Sequence, residues 1–159
     1  MIENLPFISI SLINGAVYGG SVELVISTDF RFGSKNCKIQ IPASKYGIHY
    51  GHKGIKRCLN FFGLPISKKL LFFSEPIYLN DLKHINFFDY YDDDIEVLKK
   101  TMNEKIELLS SLSLEAVRSM KASINDFKNN KIKLQKEEAR FLAGFESGII
   151  LKRIKKFNF

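Results

Sequence analysis

The segment Lys45-Tyr46-Gly47-Ile48-His49-Tyr50-Gly51-His52-Lys53-Gly54, running into Lys56 and Arg57, concentrates groups able to meet an anion. Glycines let main-chain N–H groups turn toward a ligand and let it approach closely. A helix beginning near Lys53 would add free donors and the positive end of its dipole, which suits phosphate. Lys45, Lys53, Lys56 and Arg57 bring charge, while Tyr46, His49, Tyr50 and His52 bring faces on which a base can stack. A phosphate or nucleic-acid contact is therefore predicted here, with Arg31 at the margin of the same basic stretch. A solvated connecting loop accounts for the same residues, and neither a GxxxxGK phosphate loop nor a GxGxxG turn is present.

Metal and catalytic chemistry find less support. Cys37, His49, His52 and Cys58 fall within 22 residues and offer four ligand types for tetrahedral zinc. Their spacing, C-x11-H-x2-H-x5-C, matches no standard zinc motif, and Cys37 alternates with the apolar Ile39 and Ile41. Buried, inert cysteines are expected, with no metal and no cofactor. HExxH, GxSxG and paired HxT or HxS motifs are absent. The acidic run Asp89–Glu96 could hold magnesium through two carboxylates, but Asp92, Asp93 and Asp94 stand where a helix begins. Carboxylates there cap free N–H groups and complement the dipole. No catalytic residue is assigned, and a non-enzymatic protein is the expectation.

The charge is segregated along the chain, within a net +7. Residues 30–74 contain no Asp or Glu, yet hold Arg31, Lys35, Lys38, Lys45, Lys53, Lys56, Arg57, Lys68 and Lys69. The sign reverses from Glu75 to Glu96, and the chain ends with Lys152, Arg153, Lys155 and Lys156. A single-sign stretch attracts partners of opposite charge whatever the fold.

The elements that would carry these residues divide the chain in two. Ile8, Ile10 and Leu12 alternate with serines, Asn14-Gly15 signals a hairpin, and Val22, Leu24 and Ile26 form the return strand. Cys37–Ile41 is a third strand ending at Pro42, and residues 70–79 are a fourth, interrupted by Pro76. A short helix from Lys53 to Phe62 is stopped by Gly63 and Pro65. Apolar residues from Ile95 to Phe127 keep helical spacing, as one helix or as two broken near Ser110, Ser111 and Ser113. A turn at Asn129-Asn130 leads to a last helix, 131–157, apolar nearly all round between 141 and 151.

The expected class is α+β. An N-terminal antiparallel β-sheet of about four strands with one short helix (1–90) precedes a C-terminal antiparallel pair of long helices (91–159), in one domain of 1–159. The amino terminus lacks the basic cluster of a secretory signal and no apolar run reaches about 20 residues, so a cytoplasmic protein with no membrane contact is expected. The expected function is non-enzymatic binding of a polyanion, DNA or RNA, through residues 31–69. The alternative is an inhibitor or immunity-type protein, bacterial or phage, that covers an acidic protein surface. Homodimerisation through the C-terminal helices is a further option.

Overall fold

Two parallel strand pairs, wrapped around one helix, organise the front of the chain in the computed structural model, which describes residues 2–146 with Gly148, Ile150 and Ile154. Strand β1 (Ile10–Ile13) leads through Asn14-Gly15 into β2 (Ala16–Tyr18), and α1 (Gly20–Ile26) follows. Then come β3 (Phe30–Gly33) and β4 (Lys38–Gln40). β1 runs parallel to β3 with Ile10 opposite Phe30, and β2 runs parallel to β4 with Val17 opposite Ile39. The two bends in this path are tied together, because the Ser34 hydroxyl donates to Asn14 Oδ1 at 2.7 Å. Short strands complete two three-stranded sheets: β5 (Ile77–Tyr78) runs antiparallel to β4, and β6 (Tyr90–Tyr91) parallel to β3. The strand orders are β1-β3-β6 and β2-β4-β5.

This arrangement overturns the antiparallel front sheet. Asn14-Gly15 is no hairpin turn; it is where the chain passes from one sheet into the other. The supposed return strand is α1, whose buried residues are Val22, Val25 and Ile26, while Leu24 is 55% exposed. That burial follows a 3.6-residue period, and a parallel pair needs a crossover of this kind between its strands. The β-branched residues suited either period, so burial against neighbours decided. The strand β3 was not anticipated. The third predicted strand is β4, with Cys37, Ile39 and Ile41 all buried, although it joins a mixed sheet.

Helix α2 (His52–Phe72) is two stretches meeting at Gly63, where φ is 70° and ψ is 174°. Gly63 ends the first stretch as expected, but a second starts there, with Pro65 in its opening turn where a missing N–H costs little. Leu70–Phe72 are therefore helical, and only the two residues after Pro76 form a strand. Helix α3 (Leu79–His84) follows. The core of this front unit joins Val22, Ile39, Ile41, Cys58, Leu70, Leu82 and Phe87, with the rings of Phe61, Phe62 and Phe87 in mutual contact and Phe88 against Phe87.

The expected pair of long helices is three helices: α4 (Ile95–Ser111), α5 (Leu114–Lys128) and α6 (Leu134–Glu146). Asp94 starts α4, its Oδ1 accepting from Glu96 N at 2.8 Å. Ser113 starts α5 in the same way, accepting from Ala116 N at 3.4 Å, so the serine-rich stretch separates two helices. Residues to Leu108 form one compact unit and those from Leu109 another. Within the second, Asp126 of α5 pairs with Lys136 and Arg140 of α6, each at 3.0 Å. Phe141, Leu142 and Phe145, in the stretch that is apolar nearly all round, are exposed. Leu151 and the basic residues Lys152, Arg153, Lys155 and Lys156 lie outside the described residues.

Candidate active site at the glycine turn before α1

Between β2 and α1 the main chain makes a conformation that favours glycine: Gly19 has φ 55° and ψ −125°. Its N–H donates to Gln40 O of β4 at 2.8 Å, and its carbonyl accepts from Val22 N at 3.1 Å. No side chain of Gly19 exists to cap the helix, and Gly20 follows at the first helical position, so neither residue has a side chain of its own to cover the backbone here.

Glu23, one turn into α1, points toward α2. Its Oε2 accepts from Arg57 Nη1 at 2.8 Å, while Arg57 Nε reaches Glu3 Oε1 at 3.0 Å, in the 3-10 turn Ile2–Asn4. The Tyr50 hydroxyl donates to the Gly19 carbonyl at 3.3 Å, and its ring packs beside Glu23 across Gly54. Its phenol is pushed well above the ordinary range by burial, then by the neighbouring Glu23 carboxylate. Tyr50 therefore remains a proton-bearing donor at neutral pH. Gly54 explains the close fit: a Cβ there would stand 2.5 Å from both Glu23 Oε1 and Tyr50 Cε1. Arg57, Glu3 and Glu23 have 14%, 17% and 27% of their side chains exposed, so the cluster is shielded but not sealed. Cys58 beside it is fully buried, and burial followed by the charge of Glu23 pushes its thiol up to about 11.

A carboxylate adjoining an unshielded main-chain turn can do specific chemistry. Main-chain N–H groups stabilise charge that develops on a carbonyl oxygen, and a nearby carboxylate can take or return a proton. On the open side of β1 a groove of about 560 Å³ runs past Ile10, Leu12, Val17, Ser21, Leu24 and Thr28, close to the start of α1.

The residues expected to meet an anion divide between surface and interior. Lys45, Tyr46, His49, His52, Lys53 and Lys56 are all exposed, Tyr46 to 73%. Tyr50 and Arg57 turn inward to Glu23 instead. Arg31 is buried, donating to Phe87 O, Thr28 O and Asp89, with its guanidinium 4.8 Å from the Phe61 ring centroid. The acid-free stretch is thus partly neutralised in space by Glu3, Glu23 and Asp89, which lie outside it in sequence. Cys37 and Cys58 are in the core while His49 and His52 face solvent, and no cluster of three metal-ligating side chains occurs among the described residues.

Sequence reasoning missed Gly19, Gly20 and Glu23. Glu23 falls within the return strand expected over Val22, Leu24 and Ile26. Its signal was available in Gly19-Gly20 as a helix start and in Val22, Val25 and Ile26 at helical spacing.

The architecture is that of the crotonase fold. It superposes on an enoyl-CoA hydratase/isomerase family protein from Hyphomonas neptunium with a TM-score of 0.88 at 22% identity, over 98% of this chain and 60% of that one. For the enoyl-CoA hydratase of Bacillus anthracis the TM-score is 0.86 at 23% identity, over 99% and 61%. A Thermobifida fusca protein in complex with acetoacetyl-CoA gives 0.81 at 17%, over 92% and 58%. The chain belongs to the enoyl-CoA hydratase/isomerase family, whose sequence model matches residues 1–150. It is 27% identical over 125 residues to the enoyl-CoA isomerase/hydratase fer4 of Mycosarcoma maydis, spanning 78% of this chain and 45% of that protein. The chain therefore spans about half to three fifths of the length of these relatives. Membership of an enzyme family overturns both the non-enzymatic nucleic-acid binder and the inhibitor expected from the charge pattern. Charge blocks along a sequence report composition, and here the most site-like cations, Arg31 and Arg57, are consumed by internal ion pairs.

Proposed function

We propose that the chain carries an acid–base site for an acyl-CoA thioester, with Glu23 as the proton-transferring group beside the Gly19-Gly20 turn. The observation that carries this reading is that Tyr50 stands between the two, its hydroxyl donating to the Gly19 carbonyl at 3.3 Å and its ring lying beside Glu23 across Gly54. Family membership supplies the substrate class, and the Thermobifida fusca relative holds an acyl-CoA. In this reading the main-chain N–H of Gly20, at the first helical position after the turn, meets the thioester oxygen. Glu23 takes a proton from the carbon chain, the C–H pair moves into an enolate, and the negative charge settles on that oxygen. Return of the proton to another carbon isomerises the double bond.

The test is turnover of a 3-enoyl-CoA and of crotonyl-CoA by wild type and Glu23→Gln. Glu23→Gln is expected to lower kcat by about 100-fold or more with an unchanged circular dichroism spectrum. Wild type without either activity, or Glu23→Gln with full activity, would reject the assignment.

A further inference from the structure

The four residues Glu3, Tyr50, Gly54 and Arg57 enclose Glu23 more completely than an ordinary surface ion pair would. Arg57 divides its donors, with Nη1 on Glu23 and Nε on Glu3. Two carboxylates on two edges of one planar guanidinium fix its orientation, and so fix where the Glu23 oxygen must lie. Tyr50 approaches from the loop just before α2, its ring beside Glu23 across Gly54 and its hydroxyl donating to Gly19 O at 3.3 Å. Gly54 lies one turn after Tyr50, and the space left by its missing side chain holds Glu23 Oε1. Glutamate has three rotatable bonds, so a carboxylate on an open helix surface would sample many positions. This one is held by a tyrosine, an arginine and a backbone that any side chain would obstruct.

We propose that Tyr50 and Arg57 are positioning residues for Glu23, holding its carboxylate at a fixed place relative to the Gly19-Gly20 turn, with Glu3 orienting Arg57. The inference rests on the reading of Glu23 as the proton-transferring group. Neither Tyr50 nor Arg57 needs to touch substrate. Their effect falls on the chemical step, because a misplaced acid–base group loses rate while leaving ground-state binding intact. Glu3 acts one step further away, through the second edge of Arg57.

The experiment combines kinetics with crystal structures of Tyr50→Phe, Arg57→Gln and Arg57→Lys. Tyr50→Phe keeps the ring and removes only the hydroxyl, so the fold is retained. It is expected to lower kcat on the order of tenfold with KM nearly unchanged, and to spread the Glu23 carboxylate over more than one rotamer. Arg57→Gln should do the same more severely, and Arg57→Lys should restore part of kcat by replacing the charge without the second edge. Glu23 unmoved in both Tyr50→Phe and Arg57→Gln would overturn the positioning role, as would wild-type kcat in an active enzyme. If wild type has no turnover, the proton-transfer reading fails by itself, while the crystal structures still decide whether these side chains hold Glu23.

Discussion

Nine consecutive residues, 50–58, present two opposite faces. His52, Lys53 and Lys56 face solvent, while Tyr50, Gly54, Arg57 and Cys58 turn toward α1 and the core. The outward residues carry what first suggests function in the sequence: charge, imidazole and exposure. The inward ones include a glycine and a cysteine that suggest little until α1 is placed against them. The contrast is one of coupling. An exposed lysine interacts mainly with water and ions, whereas an inward residue here touches at least one group on another element, so changing it disturbs two elements.

The largest expected effect tests the inward face at its tightest point. Gly54→Val should destabilise the protein by about 3 kcal/mol in urea unfolding, because the new side chain must displace Glu23 and Tyr50 from contacts of 2.5 Å. A loss below half that would show the α1–α2 contact to be loose, and the division between faces would weaken. A smaller effect concerns Cys58. Its thiol ionises near pH 9 when unfolded but only near 11 when folded. Between those values the unfolded chain binds fewer protons, so stability falls as pH rises, by up to about 1.4 kcal/mol per pH unit. Below pH 9 this group contributes no pH dependence. Thermal melts from pH 8 to 11 should therefore show a steeper alkaline decline in wild type than in Cys58→Ala, and parallel curves would mean the thiol is not shielded as the fold implies. The smallest effect belongs to the outward face: Lys53→Ala/Lys56→Ala should change stability by no more than about 0.5 kcal/mol and leave kcat unchanged. A large loss of activity in that double variant would erase the distinction between the faces.

Several local features were legible in the residues. The alternation of Cys37, Ile39 and Ile41 marks a buried strand, and β4 is that strand. Gly63 interrupts a helix because its left-handed φ suits no other residue as well. Asp94 and Ser113 cap helices where carboxylate and hydroxyl groups meet free N–H donors. Asn129-Asn130 makes a turn, with Asn130 at φ 54°. Each of these depends on neighbours within a few positions, and the residue types alone carry the physics.

What the sequence by itself determined, then, was the local punctuation of the chain, its alternating strand and its helical back half. Tertiary structure decided whether 22–26 would be strand or helix, since Val22-Glu23-Leu24-Val25-Ile26 satisfies either period and only burial against α2 and the sheets selects one. It also decided that Asn14-Gly15 joins two sheets instead of closing a hairpin, because parallel pairing is a relation between strands some 20 residues apart. The site has the same origin. Glu3, Gly19, Glu23, Tyr50, Gly54 and Arg57 have no motif spacing, and they meet because α1 and α2 pack with a glycine at the point of contact.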